Sequence, residues 1–195
     1  MPRIAADTVA EHVAQQEAAV VAAAARLFGE RGVARVSLAD IAAEVGLKRN
    51  SLYRYFPDKG HLLAAWFRVE LAPLQEQSEA IVGSDAPADV RLRRWLELQL
   101  DYLTAPEHQA MTDAFAESSV LSDEVRADIG RGHQELYSTL EQILAAASPD
   151  GGSGRVDTTL VAGALRSAAE LVIGGAERDL VIERLTRLAS ALTDG

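Results

Sequence analysis

Four cations crowd one short stretch of the chain. Lys48, Arg49, Arg54 and Lys59 lie between Gly46 and Gly60, where Asp58 is the single acid. Asn50, Ser51, Tyr53 and Tyr55 are interleaved with them. Arg and Lys donate to guanine O6 and N7, and Asn pairs bidentately with the edge of adenine, so this set of side chains suits the reading of base edges. The same cations would also serve as a solvated helix face. Charge by itself leaves both readings open.

The elements that must position these residues are short. Ser37-x-x-Asp40 is a capping pattern for a helix carrying Ile41, Ala42 and Val45 on one side, and Gly46 ends it after barely two turns. A second brief helix runs from about Arg49 to Phe56, closed by Pro57 and Asp58, with Leu52 and Phe56 inward. Helices of this length do not hold alone in water, so each must pack on its neighbour. A longer helix precedes them, opened by Thr8-x-x-Glu11 and stopped at Gly32, where a left-handed turn costs glycine little. Its inner face is Val20, Ala23, Ala24, Leu27 and Phe28. Together these make a helix-turn-helix, in which the second helix lies in the major groove of DNA. Its outward side is Arg49, Asn50, Tyr53 and Arg54, with Lys48 at the N-terminal end. Tyr53 is out of phase with Leu52 and Phe56 and so faces out, whereas Phe56 is core.

Three segments, Ala24–Gly32 (AARLFGERG), Ser37–Leu47 (SLADIAAEVGL) and Ser51–Lys59 (SLYRYFPDK), closely resemble the amino-terminal domain of the tetracycline-repressor (TetR) family of bacterial regulators. The resemblance covers about the first 65 residues; beyond them only the architecture is similar. It implies that Ser37 and Lys59 hold DNA phosphates from either flank. Tyr53 and Tyr55 would lie on the sugar-phosphate backbone, and Lys48, Arg49, Asn50 and Ser51 would approach base edges. Arg3, before the first helix, would reach the backbone or minor groove. Lys48 stands where the family usually has Ser, and Asn50 where it has Gly or Ala. The lost cap would fray the first turn of the second helix, and the added charge and donors would shift operator preference. Gly60 stands in place of a common Glu, at a cost of about 0.5–1 kcal/mol in helix propensity.

The rest of the chain also reads as helix. Asp58 would cap a helix bearing Leu62, Leu63, Trp66 and Phe67, which Pro73 should break or kink. Helices follow after Gly83–Pro87, from Thr104-Ala105-Pro106, and from Ser122-Asp123-Glu124. A flexible loop is expected over Ser148–Gly154, then two final helices at about Asp157–Ile173 and Arg178–Leu192. No alternating apolar–polar run argues for a strand. The expected fold is all-α with about nine helices: a three-helix DNA-binding domain over residues 1–58, and a helical ligand-binding and dimerisation domain over 59–195.

In the final pair, Leu160, Val161, Ala164, Leu165, Ala168, Leu171 and Val172 form a wide apolar band, and Val181, Leu185, Leu188 and Leu192 repeat it. Two such helices from each subunit would make a four-helix homodimer interface; a central place in the monomer is the alternative. The aromatic and soft residues Trp66, Trp95, Tyr102, Met111, Phe115 and Tyr137 are candidates for lining a pocket for an unidentified small-molecule effector. Singly, each also fits a core role.

The chain has 195 residues, a formal net charge of −10 and no cysteine, which removes disulfides and thiolate chemistry. Residues 1–60 hold eight Lys and Arg against seven Asp and Glu; residues 61–195 hold eleven against twenty-two. A small cationic patch on an acidic body still binds an anion locally while the body repels wrong docking poses. The Ala/Val run at Ala18–Ala25 is far short of a bilayer span, and it lacks a basic leader, so a cytoplasmic protein with no membrane partner is expected. The histidines His12, His61, His108 and His133 show no paired metal spacing, and neither a phosphate loop nor a nucleophile elbow occurs. No enzyme activity, metal or cofactor is expected. Scattered acids at i, i+4 from arginine, such as Arg166 and Glu170, read as surface ion pairs. The expected function is a ligand-responsive repressor that binds a palindromic DNA operator as a dimer; the alternative is an effector-independent or architectural DNA-binding protein under a protein partner.

Overall fold

A computed structural model describes residues 3–117, 121–148 and 154–192, with residues 3–9, 114 and 117 by backbone alone. Within them are nine α-helices and no strand: α1 Arg3–Arg31, α2 Leu38–Glu44, α3 Arg49–Tyr55, α4 Lys59–Val82, α5 Ala88–Thr104, α6 Pro106–Glu117, α7 Asp123–Ala147, α8 Arg155–Ile173 and α9 Arg178–Ala191. A single 3-10 turn, Val33–Arg35, joins α1 to α2. Most of the turn expected at Ser148–Gly154 falls outside the described residues. By packing, the chain divides into two compact units: Met1–Val69 with Ala110–Ile129, and Glu70–Gln109 with Gly130–Gly195.

In the first unit α1 begins at Arg3, earlier than the Thr8 capping pattern suggests. No Gly or Pro stands between Arg3 and Thr8, and Ala5 and Ala6 are strong helix formers, so propensity carries the helix past the cap. Val20, Ala24, Leu27 and Phe28 are buried as the helical spacing requires, and Phe28 meets Trp66 at 6.1 Å between ring centres. Gly32 has the positive φ (78°) expected of it, but its ψ of 147° is extended rather than left-handed helical. Arg26 ties α1 to α2 by bonding both Glu30, at 2.9 Å, and Glu44.

The Ser37 capping box is complete. The Asp40 amide donates to Ser37 Oγ at 3.2 Å, while Asp40 Oδ2 accepts from the Ser37 amide at 2.8 Å and its hydroxyl at 2.6 Å. These bonds, the hydroxyl's first, hold the Asp40 carboxyl below its ordinary value. Ile41 and Ala42 are buried, and Val45 is only half-buried. Gly46 sits at φ +69°, and a Cβ there would meet no atom within 4 Å. Its requirement is therefore conformational, not a matter of space. Leu52, fully buried, is the apolar anchor of α3, with Phe56 just beyond the helix end.

Pro73 does not end α4, which continues from Lys59 to Val82. A proline leaves one carbonyl, four residues back, without its helical donor. Here that residue is Val69, itself 56% exposed, so water can serve the carbonyl.

In the second unit α5, α8 and α9 pack on one another. Trp95 is fully buried with its indole N–H donating to Thr139 Oγ1 at 2.8 Å, and the buried Gln99 amide donates to Ser78 Oγ at 3.1 Å. The last helix buries Ile182, Leu185 and Ala189 and leaves Leu180 and Leu188 exposed. Val161, Ala162, Leu165, Ala168 and Ala169 are the buried side of α8, while Leu160 and Leu171 are 53% and 59% exposed. Among the described residues Arg166 and Glu170, both exposed, do not pair.

Candidate nucleic-acid interface

Helix α3 owes its position to one side chain on its inner face and to a turn on each flank. Leu52 inserts into the first unit, Gly46 reverses the chain before it, and Phe56 leaves the helix at φ −133° in extended backbone. Arg49, Asn50, Tyr53 and Arg54 are therefore turned to solvent, with Lys48 exposed beside them. Ser51 and Tyr55 are half-buried at the edges of this face. Lys48 occupies the N-cap and its side chain makes no capping bond, so the first amides of α3 lack an intrahelical partner.

Two residues on the face are coupled. The Arg49 guanidinium donates to the Tyr53 hydroxyl at 3.1 Å and lies 5.6 Å from the ring centre. This is an i, i+4 contact that holds the arginine against an aromatic face. The spacing was readable in the sequence; the pairing follows from both residues being on the outward side.

The flanking residues are more engaged than expected. Ser37 spends its hydroxyl and amide on Asp40. Lys59 Nζ donates to the carbonyls of Val33, at 2.9 Å, and Val36, at 3.0 Å, clamping the α1–α2 connection to the start of α4. Backbone carbonyls carry no sequence signature, so this role had no signal in the residues. Asp58 caps α4, accepting from the His61 amide and facing its ring nitrogen, both at 2.9 Å. Arg3 is the first residue of α1, and its side chain lies outside the described residues.

The six residues proposed to line a pocket fall into the two units. Trp66 and Met111 are buried in the first, where Phe115 sets its ring edge-on to Phe67 at 6.2 Å. Trp95, Tyr102 and Tyr137 belong to the second. Tyr102 stacks obliquely on His108 with ring centres 4.5 Å apart, and its hydroxyl is buried with no hydrogen-bond partner. Burial, followed by the charge of Glu70, pushes that phenol up to about 12. Burial also lowers the His108 pKa, helped by the charge of His133. No helix among the described residues is long and apolar enough to cross a membrane.

Residues 20–66 match the family described as "Bacterial regulatory proteins, tetR family". The chain is 29% identical over 161 residues to the HTH-type transcriptional regulator BetI of Rhizobium meliloti, covering 77% of this chain and 78% of that protein. It is 33% identical over 76 residues to the nucleoid occlusion factor SlmA of Pasteurella multocida, covering 39% of this chain and 38% of that protein. The fold is shared with the transcriptional regulator FadR of Bacillus subtilis, solved in complex with stearoyl-CoA. That likeness has a TM-score of 0.71 and 17% identity, over 90% of this chain and 98% of FadR. The matched segment contains α2, α3 and the exposed cationic face just described. Residues 20–66 therefore carry a segment of the TetR family of bacterial regulatory proteins, and the chain as a whole is similar to DNA-binding transcriptional regulators.

Proposed function

We propose that the chain is a cytoplasmic repressor that binds a palindromic operator as a homodimer and is released by a small-molecule effector. The observation that carries dimerisation is the apolar surface of α8 and α9. Leu160, Leu171, Leu180 and Leu188 are large, exposed and confined to these two helices. A groove of ≈ 480 Å³ runs among Ala164, Leu171, Leu180 and Leu188, and such patches on soluble proteins mark interfaces. A two-fold dimer through this face presents two copies of α3, as a palindrome requires.

In this reading residues 1–58 address DNA and residues 59–195 dimerise and bind effector. Arg49, Asn50, Lys48 and Ser51 contact base edges, and Tyr53 and Tyr55 lie on the sugar-phosphate backbone. Ser37 and Lys59 support the flanks: Lys59 keeps one ammonium proton beyond its two carbonyl bonds for a phosphate, whereas Ser37 would reach one by releasing its hydroxyl from Asp40. FadR's complex with stearoyl-CoA supports an effector role for the second unit, where Tyr102 offers a buried, unpartnered hydroxyl. An effector acts only through unequal affinity for two conformers. A second reading, an effector-independent or architectural DNA-binding protein, draws on the match to a nucleoid occlusion factor.

Sedimentation with operator duplex tests the proposal. Two chains per operator are expected, with Leu171→Glu reducing the assembly to monomer and weakening operator binding at least tenfold. Tight binding of one chain per duplex would refute it.

A further inference from the structure

A second groove, of ≈ 440 Å³, lies between α7 and α8 within the second unit, away from the apolar surface of α8 and α9. Its chemistry differs from that surface. Arg155 stands at the first turn of α8 and Arg166 three turns on, about 16 Å along the axis. Across from them α7 contributes His133, Gln134, Tyr137 and Glu141. The second unit carries nine arginines against seventeen acidic residues, so an arginine-lined groove with one carboxylate goes against its overall charge.

The ends of the groove are unequal. Only seven residues separate the end of α7 from the start of α8, so two such helices sharing a groove run antiparallel and Glu141 falls at the same end as Arg155. Arg166 lies toward Gln134 and His133, where the groove presents no acid. Among the described residues Arg166 makes no ion pair, and the expected Glu170 partner is not engaged. Gly130, also lining this end, leaves open space where a side chain would stand. Between the ends Thr158 is more than nine-tenths buried, and its hydroxyl has no partner, although the neighbouring Thr159 donates to its own helix at 2.7 Å.

We propose that this groove binds a small aromatic carboxylate. Its carboxylate would take the two parallel N–H donors of Arg166 with Gln134 beside it, and its ring would lie along Tyr137 and Ala162 near Thr158. Arginine suits this role because its planar fork matches a carboxylate bidentately.

Calorimetric titration of the full chain with benzoate, and with benzamide as its uncharged counterpart, tests the proposal. Saturable benzoate binding is expected, with benzamide at least about tenfold weaker, since a charged pair is replaced by a neutral one. Arg166→Ala should weaken benzoate by about tenfold or more without changing the melting temperature. Glu141→Gln should tighten it, a gain that misfolding cannot imitate. Absence of saturable benzoate binding, equal binding of benzamide, or benzoate affinity untouched in both variants would overturn the assignment.

Discussion

Arg49 and Tyr53 form one unit on the outward side of α3: the guanidinium bonds the phenol oxygen at 3.1 Å and lies over the ring, 5.6 Å from its centre. An arginine held in this way loses less side-chain freedom when it meets a base than one waving in solvent. Tyr53→Phe keeps the ring and removes the acceptor. Because the pair is exposed, the expected loss of operator affinity is modest, roughly two- to fivefold. It should be concentrated at the base step that Arg49 reads, with melting unchanged. A uniform loss across all base positions would place Tyr53 on the backbone alone.

Removing Arg49 should be more severe and equally local. Arg49→Ala is expected to cost roughly 1–3 kcal/mol at one base position, whereas Tyr55→Phe, at a residue placed on the sugar-phosphate backbone, should weaken every sequence more evenly. Competition binding against single-position operator variants separates the two patterns.

Lys59 gives a stability test. Its ammonium bonds two carbonyls of the α1–α2 connection, and charged hydrogen bonds of this kind are worth about 1.5–3 kcal/mol when little exposed. Since Lys59 is only half-buried, Lys59→Met is expected to lower stability by about 1–2 kcal/mol in urea titration. If instead stability holds and only the salt slope of DNA binding flattens, by about one, the residue is a phosphate contact.

His108 sets a pH dependence. Burial, then the His133 charge, holds its pKa below the ordinary value of 6.5, so folding favours the neutral ring. The associated stability is fully present above about pH 6.5 and is lost as pH falls through the lower folded value. Melting temperature should therefore fall from pH 7 to pH 5, and His108→Gln should flatten that slope. An identical slope in the variant would assign it to other groups.

The short helices around the cationic face were legible because their signals are local. The Ser37–Asp40 box, the glycine at 46 and the phase of Leu52 against Tyr53 act within a turn or two. The register of α9 was not, since Leu180, Val181 and Ile182 in succession offer adjacent stripes, and only packing against α5 and α8 selects Ile182. For a related reason Pro73 does not end its helix. The proline rule prices a lost helical bond but cannot say that Val69 is open to water. The proposed pocket residues shared a chemical type, yet the fold distributes them over two units and gives Trp95 a partner in Thr139, two-thirds of the way along the chain.

Selection of duplexes from a random pool by the purified full chain, at low ionic strength and then at physiological salt, bears most directly on the exposed face of α3. Enrichment of a palindrome is expected, with half-sites spaced by one DNA turn or a multiple of it, and with Arg49→Ala losing preference at one symmetric base position. Failure to retain any duplex in dilute buffer, or retention with no sequence enriched, would contradict it.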